Sequence, residues 1–121
     1  MNLTQKLTQS LVALILCLGF TALANAGELR KVTLVNHQFE GTKQWVPGTI
    51  IAKKGDEVEV TLINKAPSGV HGFTIPEFNV KVAVEKGKTE VVKFKAAKAG
   101  IFQFKCHLHP AHIGGQLLVL E

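Results

Sequence analysis

Between Glu57 and Asn64 apolar and polar residues alternate without interruption, with Val58, Val60 and Leu62 on one face and Glu57, Glu59 and Thr61 on the other. That period of two predicts a half-buried β-strand. The alternation recurs around Val32 and Leu34 in Arg30 to Asn36, and through Val92 and Phe94 in Lys88 to Lys95. Shorter apolar runs lie at Thr49 to Lys53, His71 to Ile75, Val80 to Val84, Ile101 to Cys106 and Gln116 to Leu120, separated by turn residues such as Lys54-Gly55-Asp56, Pro67-Ser68-Gly69 and Glu85-Lys86-Gly87. The last of these turns predicts a hairpin between its flanking strands. No stretch sustains a helical period. Seven or eight short strands with so little room for helix predict an all-β fold, a β-sandwich of two packed sheets.

The pattern also aims side chains. In Ile101 to Cys106, Phe102, Phe104 and Cys106 share one face and Gln103 and Lys105 the other, so Cys106 points inward and His107 is sent the opposite way.

Residues 1–26 read differently. A single basic residue, Lys6, precedes an apolar run from Leu11 to Phe20 that is too short to span a bilayer, and Ala24-Asn25-Ala26 closes the segment with small residues. This predicts a signal peptide, with cleavage after Ala26 leaving 95 residues (121 − 26) as one domain, 27–121. Cys17 lies in the apolar run, but Leu16 stands where lipid attachment takes a small residue, so the expected product has no transmembrane or lipid anchor. Its expected location is the periplasm, or otherwise outside the cytoplasm.

Removing the leader changes the chemistry on offer. Cys106 becomes the only cysteine, so no internal disulfide is available, and Met1, the only methionine, is lost as a thioether ligand. The leader takes Lys6 of the 14 basic residues and none of the nine acidic ones, so the net charge falls from +5 to +4. The lysines are spread along the chain, which excludes a nucleic-acid stripe and favours an acidic protein partner.

Cys106-His107-Leu108-His109-Pro110-Ala111-His112 places a thiol and three imidazoles in seven residues. Thiolate and neutral imidazole are ligands for copper and zinc, and the steps of three from Cys106 to His109 to His112 let a tight loop aim all three at one point. A further ligand must come from upstream. His71 follows a Pro/Gly turn at a strand start and has Gly72 beside it for close approach, whereas His37 stands between Asn36 and Gln38 in a polar patch that ends the first strand. His71, Cys106, His109 and His112 are therefore the expected metal ligands. Gln116 and, more weakly, Glu77 are alternative axial donors, His107 is an exposed neighbour of the site, Asn64 an ordinary turn residue and Trp45 a core anchor.

These residues carry a resemblance. Over nearly all of Glu28 to Glu121 the chain resembles the cupredoxins, small copper-binding Greek-key sandwiches, whose pattern of a strand-end His followed far downstream by Cys, two residues and His is matched by His71, Cys106 and His109. His112 stands at the place of the Met in the amicyanin type of short loop, and Ile113-Gly114-Gly115 resembles the family's return to its last strand. His71-Gly72-Phe73 and Cys106-His107-Leu108-His109-Pro110 also resemble the nitrosocyanin branch, which is associated with red copper. The resemblance implies one copper ion, cycling between Cu(I) and Cu(II), in an electron carrier that meets a redox partner protein and is not itself an enzyme. Zinc is the second choice of metal. A red-copper open site with small-molecule redox activity, and periplasmic copper or zinc handling, are the alternative functions. No nucleophile-and-base pair, phosphate-binding Gly loop or carboxylate dyad points to hydrolysis.

Overall fold

The computed structural model describes residues 27–121, and the predicted leader lies outside the described residues. Nine strands form there: β1 (Leu29–Phe39), β2 (Thr42–Val46), β3 (Thr49–Lys53), β4 (Glu57–Asn64), β5 (His71–Ile75), β6 (Val80–Val84), β7 (Thr89–Lys95), β8 (Gly100–Phe104) and β9 (Gly115–Leu120). A 3-10 turn at Pro76–Phe78 joins β5 to β6. The all-β expectation holds, with one strand more than the seven or eight predicted.

The first layer has the order β2-β1-β4-β7, β1 running parallel to β4 with Leu34 opposite Leu62 and Asn36 opposite Asn64. The second layer contains β3-β9-β8, with β3 parallel to β9, and the β5-β6 pair. Thr74 and Lys105 join β5 to the end of β8 by exchanging backbone hydrogen bonds of 2.9 and 3.2 Å. The inward residues of each strand meet between the layers: Leu34 from β1, Trp45 from β2, Val58, Val60 and Leu62 from β4, and, from the other side, Ile50, Phe73, Phe104 and Leu117. Phe73 packs edge-on against Trp45 and 5.2 Å, centroid to centroid, from Phe104. Strands such as β3 and β4 bury alternate residues because only one face is covered; β5, buried at all five residues, is the exception.

Two expectations are corrected. The predicted hairpin between Val80–Val84 and the following strand does not form, because β6 pairs with β5 while β7 pairs with β4 in the other layer. The Gly87 N–H donates to the Asn64 carbonyl and the Asn64 N–H to the Lys88 carbonyl, which pulls the turn onto β4 and sends the chain across the sandwich. The second correction is β2. Its turn, Glu40-Gly41, has φ of 47° and 81°, the positive pair that a two-residue hairpin turn requires. Glu at the first of these positions hides a turn that Asn or Asp would announce, so the strand carrying Trp45 read as a connection.

At the end of the sandwich where β4 begins, Asp56 is buried. Its carboxylate accepts hydrogen bonds from the Lys53 and Glu28 backbone N–H groups, 2.9 Å each, and from Arg30 at 3.5 Å. The Lys53 amide, then those of Glu28 and the Arg30 charge, hold its pKa below the ordinary carboxylate range against the opposing effect of burial. Glu59 is depressed likewise by Lys93, 3.1 Å away, and by Lys31. A carboxylate with a lowered folded-state pKa contributes stability that is complete at neutral pH and is lost as pH falls through that lowered value. The native protein should therefore unfold more easily in acid, and Asp56→Asn should lower the urea midpoint at pH 7 while flattening its decline toward pH 3. Equal midpoints for both proteins at both pH values would remove Asp56 from this role.

Candidate metal centre

The opposite end of the sandwich gathers the predicted ligands. β5 delivers His71 at its first residue, and the segment leaving β8 delivers Cys106 and then His109. One ligand atom from each of His71, Cys106 and His109 lies within 4.8 Å of the other two. Cys106 Sγ is 3.5 Å from His109 Nδ1, and the His71 and His109 rings are 4.8 Å apart by centroid. Cys106 and His71 are buried, whereas His109 sits half-buried at the rim.

His71 is prepared for a ligand. Its Nε2 lies 3.2 Å from the Ser68 carbonyl, which can only accept, so Nε2 carries the proton and Nδ1 keeps its lone pair. Nδ1 is buried and has no hydrogen-bond partner. An orphaned buried nitrogen beside a buried thiol and a second imidazole is what a soft or borderline metal ion would satisfy. Burial, helped by the His109 and Lys43 charges, lowers the His71 pKa, so the ring is neutral at neutral pH as a ligand must be.

Two residues hold these segments together. The Gly72 N–H donates to Cys106 Sγ at 3.1 Å, which ties β5 to the Cys106 loop. A Cβ at Gly72 would lie 2.4 Å from His107 Nδ1 and 3.1 Å from the His107 backbone nitrogen, so only glycine lets the strand and the Cys106 loop approach this closely. Asn64 does more than make a turn. Its Nδ2 donates to the carbonyls of Gly69 and Val84, and its Oδ1 accepts from the Ala66 N–H, which fastens both sides of the segment leading into His71.

The loop after Cys106 is closed by the His112 N–H donating to the His109 carbonyl at 3.0 Å. Its far end is tied to β2, where the Ile113 N–H donates to the Lys43 carbonyl at 2.8 Å. Trp45, on the same strand, donates from Nε1 to the Gly72 carbonyl at 2.9 Å. β2, missed in the sequence, thus anchors both the ligand loop and the ligand strand.

The remaining candidates fall elsewhere. His112 is buried beside the trio, its ring 5.3 Å from that of His71, but it is outside the cluster, with Nε2 3.0 Å from Asn36 Nδ2 and Nδ1 3.0 Å from the Ile113 carbonyl. Gln116 is exposed on the outer face of β9, its amide 3.4 Å from the Thr49 hydroxyl, so it is no axial donor. Glu77 is exposed in the 3-10 turn, and His37 is an exposed residue paired with Gln44. His107 is covered more than expected, its Nδ1 buried without a partner against Gly72. Asn36, fully buried on β1, is the residue sequence reasoning missed. A polar residue on the apolar face of an alternating strand was the available sign.

The cupredoxin-like domain model matches residues 9–119. The chain belongs to the cupredoxin-like domain family. Nitrous-oxide reductases of Cupriavidus necator and Ralstonia nicotianae match this cupredoxin-like chain at 42% and 38% identity over 65 residues, half of the chain. The match takes in only 10% of each of those proteins. Among solved structures, a copper-containing nitrite reductase from Thermus scotoductus superposes with a TM-score of 0.63 at 24% identity, over 76% of this chain and 28% of the other. The metal-binding domain of a Cu(I)-exporting P-type ATPase from Streptococcus pneumoniae gives 0.64 at 20%, over 83% of this chain and 92% of that domain. At these identities the likeness concerns the fold.

The Gly72 contact is open to test. Gly72→Ala should destabilise the domain by about 1–3 kcal/mol, the usual cost of forcing a methyl group into a filled space. His107→Ala should recover part of that loss by vacating the space. Urea denaturation of the single and double variants measures both effects.

Proposed function

We propose that the protein is an exported, single-copper electron carrier that holds its metal through Cys106 Sγ, His71 Nδ1 and a ring nitrogen of His109, with His112 closing a fourth position. The observation that carries the reading is the buried, unpartnered Nδ1 of His71 standing in one cluster with a buried thiol and a second imidazole. Bound copper supplies reversible one-electron exchange between Cu(II) and Cu(I). The names of solved neighbours, a copper-containing reductase and a Cu(I) exporter's domain among them, support copper over zinc.

The chain's own residues suit that task. Cys106 and His71 are buried, and the Gly72 N–H and the Asn64 clamp hold their segments in place, so little rearrangement accompanies a change of charge. Around the rim residue His109, Leu108 and Ile113 are 44% and 48% exposed, and Pro110 and Ala111 are exposed beside them. This apolar rim offers a docking surface for a redox partner, and the surplus of lysines favours an acidic one. The leader-like residues 1–26 support export to the periplasm.

Metal handling is the second reading, favoured by the hydrogen bonds that hold His112 apart from the other three ligands. Reversible voltammetry at one potential with fast electron exchange supports the carrier, whereas ready surrender of the ion to a chelator supports handling.

In the copper-loaded protein, Cys106→Ser should abolish the intense thiolate-to-copper absorption. Survival of that band would overturn the ligand assignment. His71→Gly should open a position that added imidazole refills, and His37→Ala should leave the spectrum unchanged.

A second substitution tests the fourth position. A nitrogen donor there favours Cu(II) more than a thioether does, so His112→Met should raise the reduction potential and move intensity from the short-wavelength to the long-wavelength thiolate band. Identical spectra and potentials for native and His112→Met protein would remove His112 from the ligand set.

A further inference from the structure

Asn36 is an expensive residue where it stands. It lies on the inward face of β1, two residues after Leu34, with no solvent exposure. Its Oδ1 is buried without a partner, and its Nδ2 makes one contact, to His112 Nε2 at 3.0 Å. A buried amide whose carbonyl oxygen has no hydrogen-bond partner costs stability that an apolar residue of similar size would not. The His112 contact is what Asn36 does there.

The polarity of that contact follows from the other side of the ring. His112 Nδ1 lies 3.0 Å from the Ile113 carbonyl, which only accepts, so Nδ1 carries the proton. Nε2 is then left with its lone pair, and the Asn36 amide N–H donates to it. The lone pair taken by Asn36 is the one His112 would give to a metal.

We infer that Asn36 is a positioning residue that competes with the metal for His112, holding the Nε2 lone pair so that His71, Cys106 and His109 form the site first and His112 joins only by giving up the Asn36 hydrogen bond. The inference rests on His112 closing the fourth position. It adds that this ligand is reserved within the fold and is delivered from a defined tautomer.

Three measurements test it. In the metal-free native protein, ¹⁵N NMR of the imidazoles should find His112 protonated at Nδ1 and unprotonated at Nε2. Protonation at Nε2 would make the ring the donor and overturn the inference, with no variant needed. Asn36→Leu removes the competitor while keeping the volume, so copper(II) should bind about fivefold more tightly, the worth of one ordinary hydrogen bond. Unchanged or weaker binding in a folded Asn36→Leu protein counts against Asn36.

Asn36→Asp reverses the polarity, because a carboxylate accepts where the amide donates. Nε2 must then carry a proton and has no lone pair to offer, so the copper(II) spectrum should match that of His112→Ala. A spectrum identical to the native one would overturn the inference. A merely structural role for Asn36 predicts looser binding in both variants, whereas competition predicts tighter binding in one and loss of a ligand in the other. Failure of the fourth-position reading is seen separately, in coincident native and His112→Met spectra, and leaves the metal-free NMR result unaffected.

Discussion

The hydrogen bond from the Gly72 N–H to the Cys106 sulfur is the contact on which the site depends. It joins residues 34 apart in sequence, sets the first residue of β5 beside the last inward residue after β8, and places an N–H dipole against a sulfur that must be a thiolate to bind metal. The bond requires two backbones to come close, and the missing Cβ of Gly72 permits that with the His107 ring lying against it. Once the strand and the loop are joined in this way, His71 and His109 have little freedom left. The Asn64 clamp on one side and the Lys43 tether on the other take up what remains.

Much of this was legible because strands print their faces on the sequence. The period of two placed Val58, Val60, Leu62, Phe102 and Phe104 in the core and carried the buried face on to Cys106, where the structure has them. The trio of His71, Cys106 and His109 was legible for a chemical reason, since a lone thiol among imidazoles has few other uses. Topology was less legible. Glu85-Lys86-Gly87 has the composition of a hairpin turn, but which strands a turn joins is decided by what lies beneath it, here the backbone of Asn64. Glu40-Gly41 hid a real hairpin for the opposite reason, a residue forced to positive φ without the usual sequence mark.

Asn36 and Asn64 show a second limit. They lie opposite each other on β1 and β4, both fully buried at the site end of the first layer; Asn36 spends its amide on the Cys106 loop, and Asn64 its own on the segment after β4 and on the end of β6. A buried Asn is legible as an exception to an alternating pattern, yet its partner is not, because Asn36 meets a residue 76 positions away. Asp56 does similar work at the other end of β4, where it binds the amides of Glu28 and Lys53. The apolar face of that strand runs between two polar fastenings, and the interior can therefore be plain hydrocarbon packing.

The parallel pairing of β3 with β9 has a kinetic consequence. Thr49 lies opposite Gln116, so this edge of the second layer closes only when segments 67 residues apart meet, and the pairing of β1 with β4 is likewise non-local. Domains dominated by such distant contacts fold slowly, on the order of milliseconds to seconds, because the entropy of closing a long chain segment is lost before any contact rewards it. The Cys106 loop lies between β8 and β9 while His71 comes from β5, so the cluster is complete only once β5 and the β8–β9 pair have met. An ion that arrives before those strands meet finds His71 still apart from Cys106 and His109, while one that arrives afterwards finds the three together.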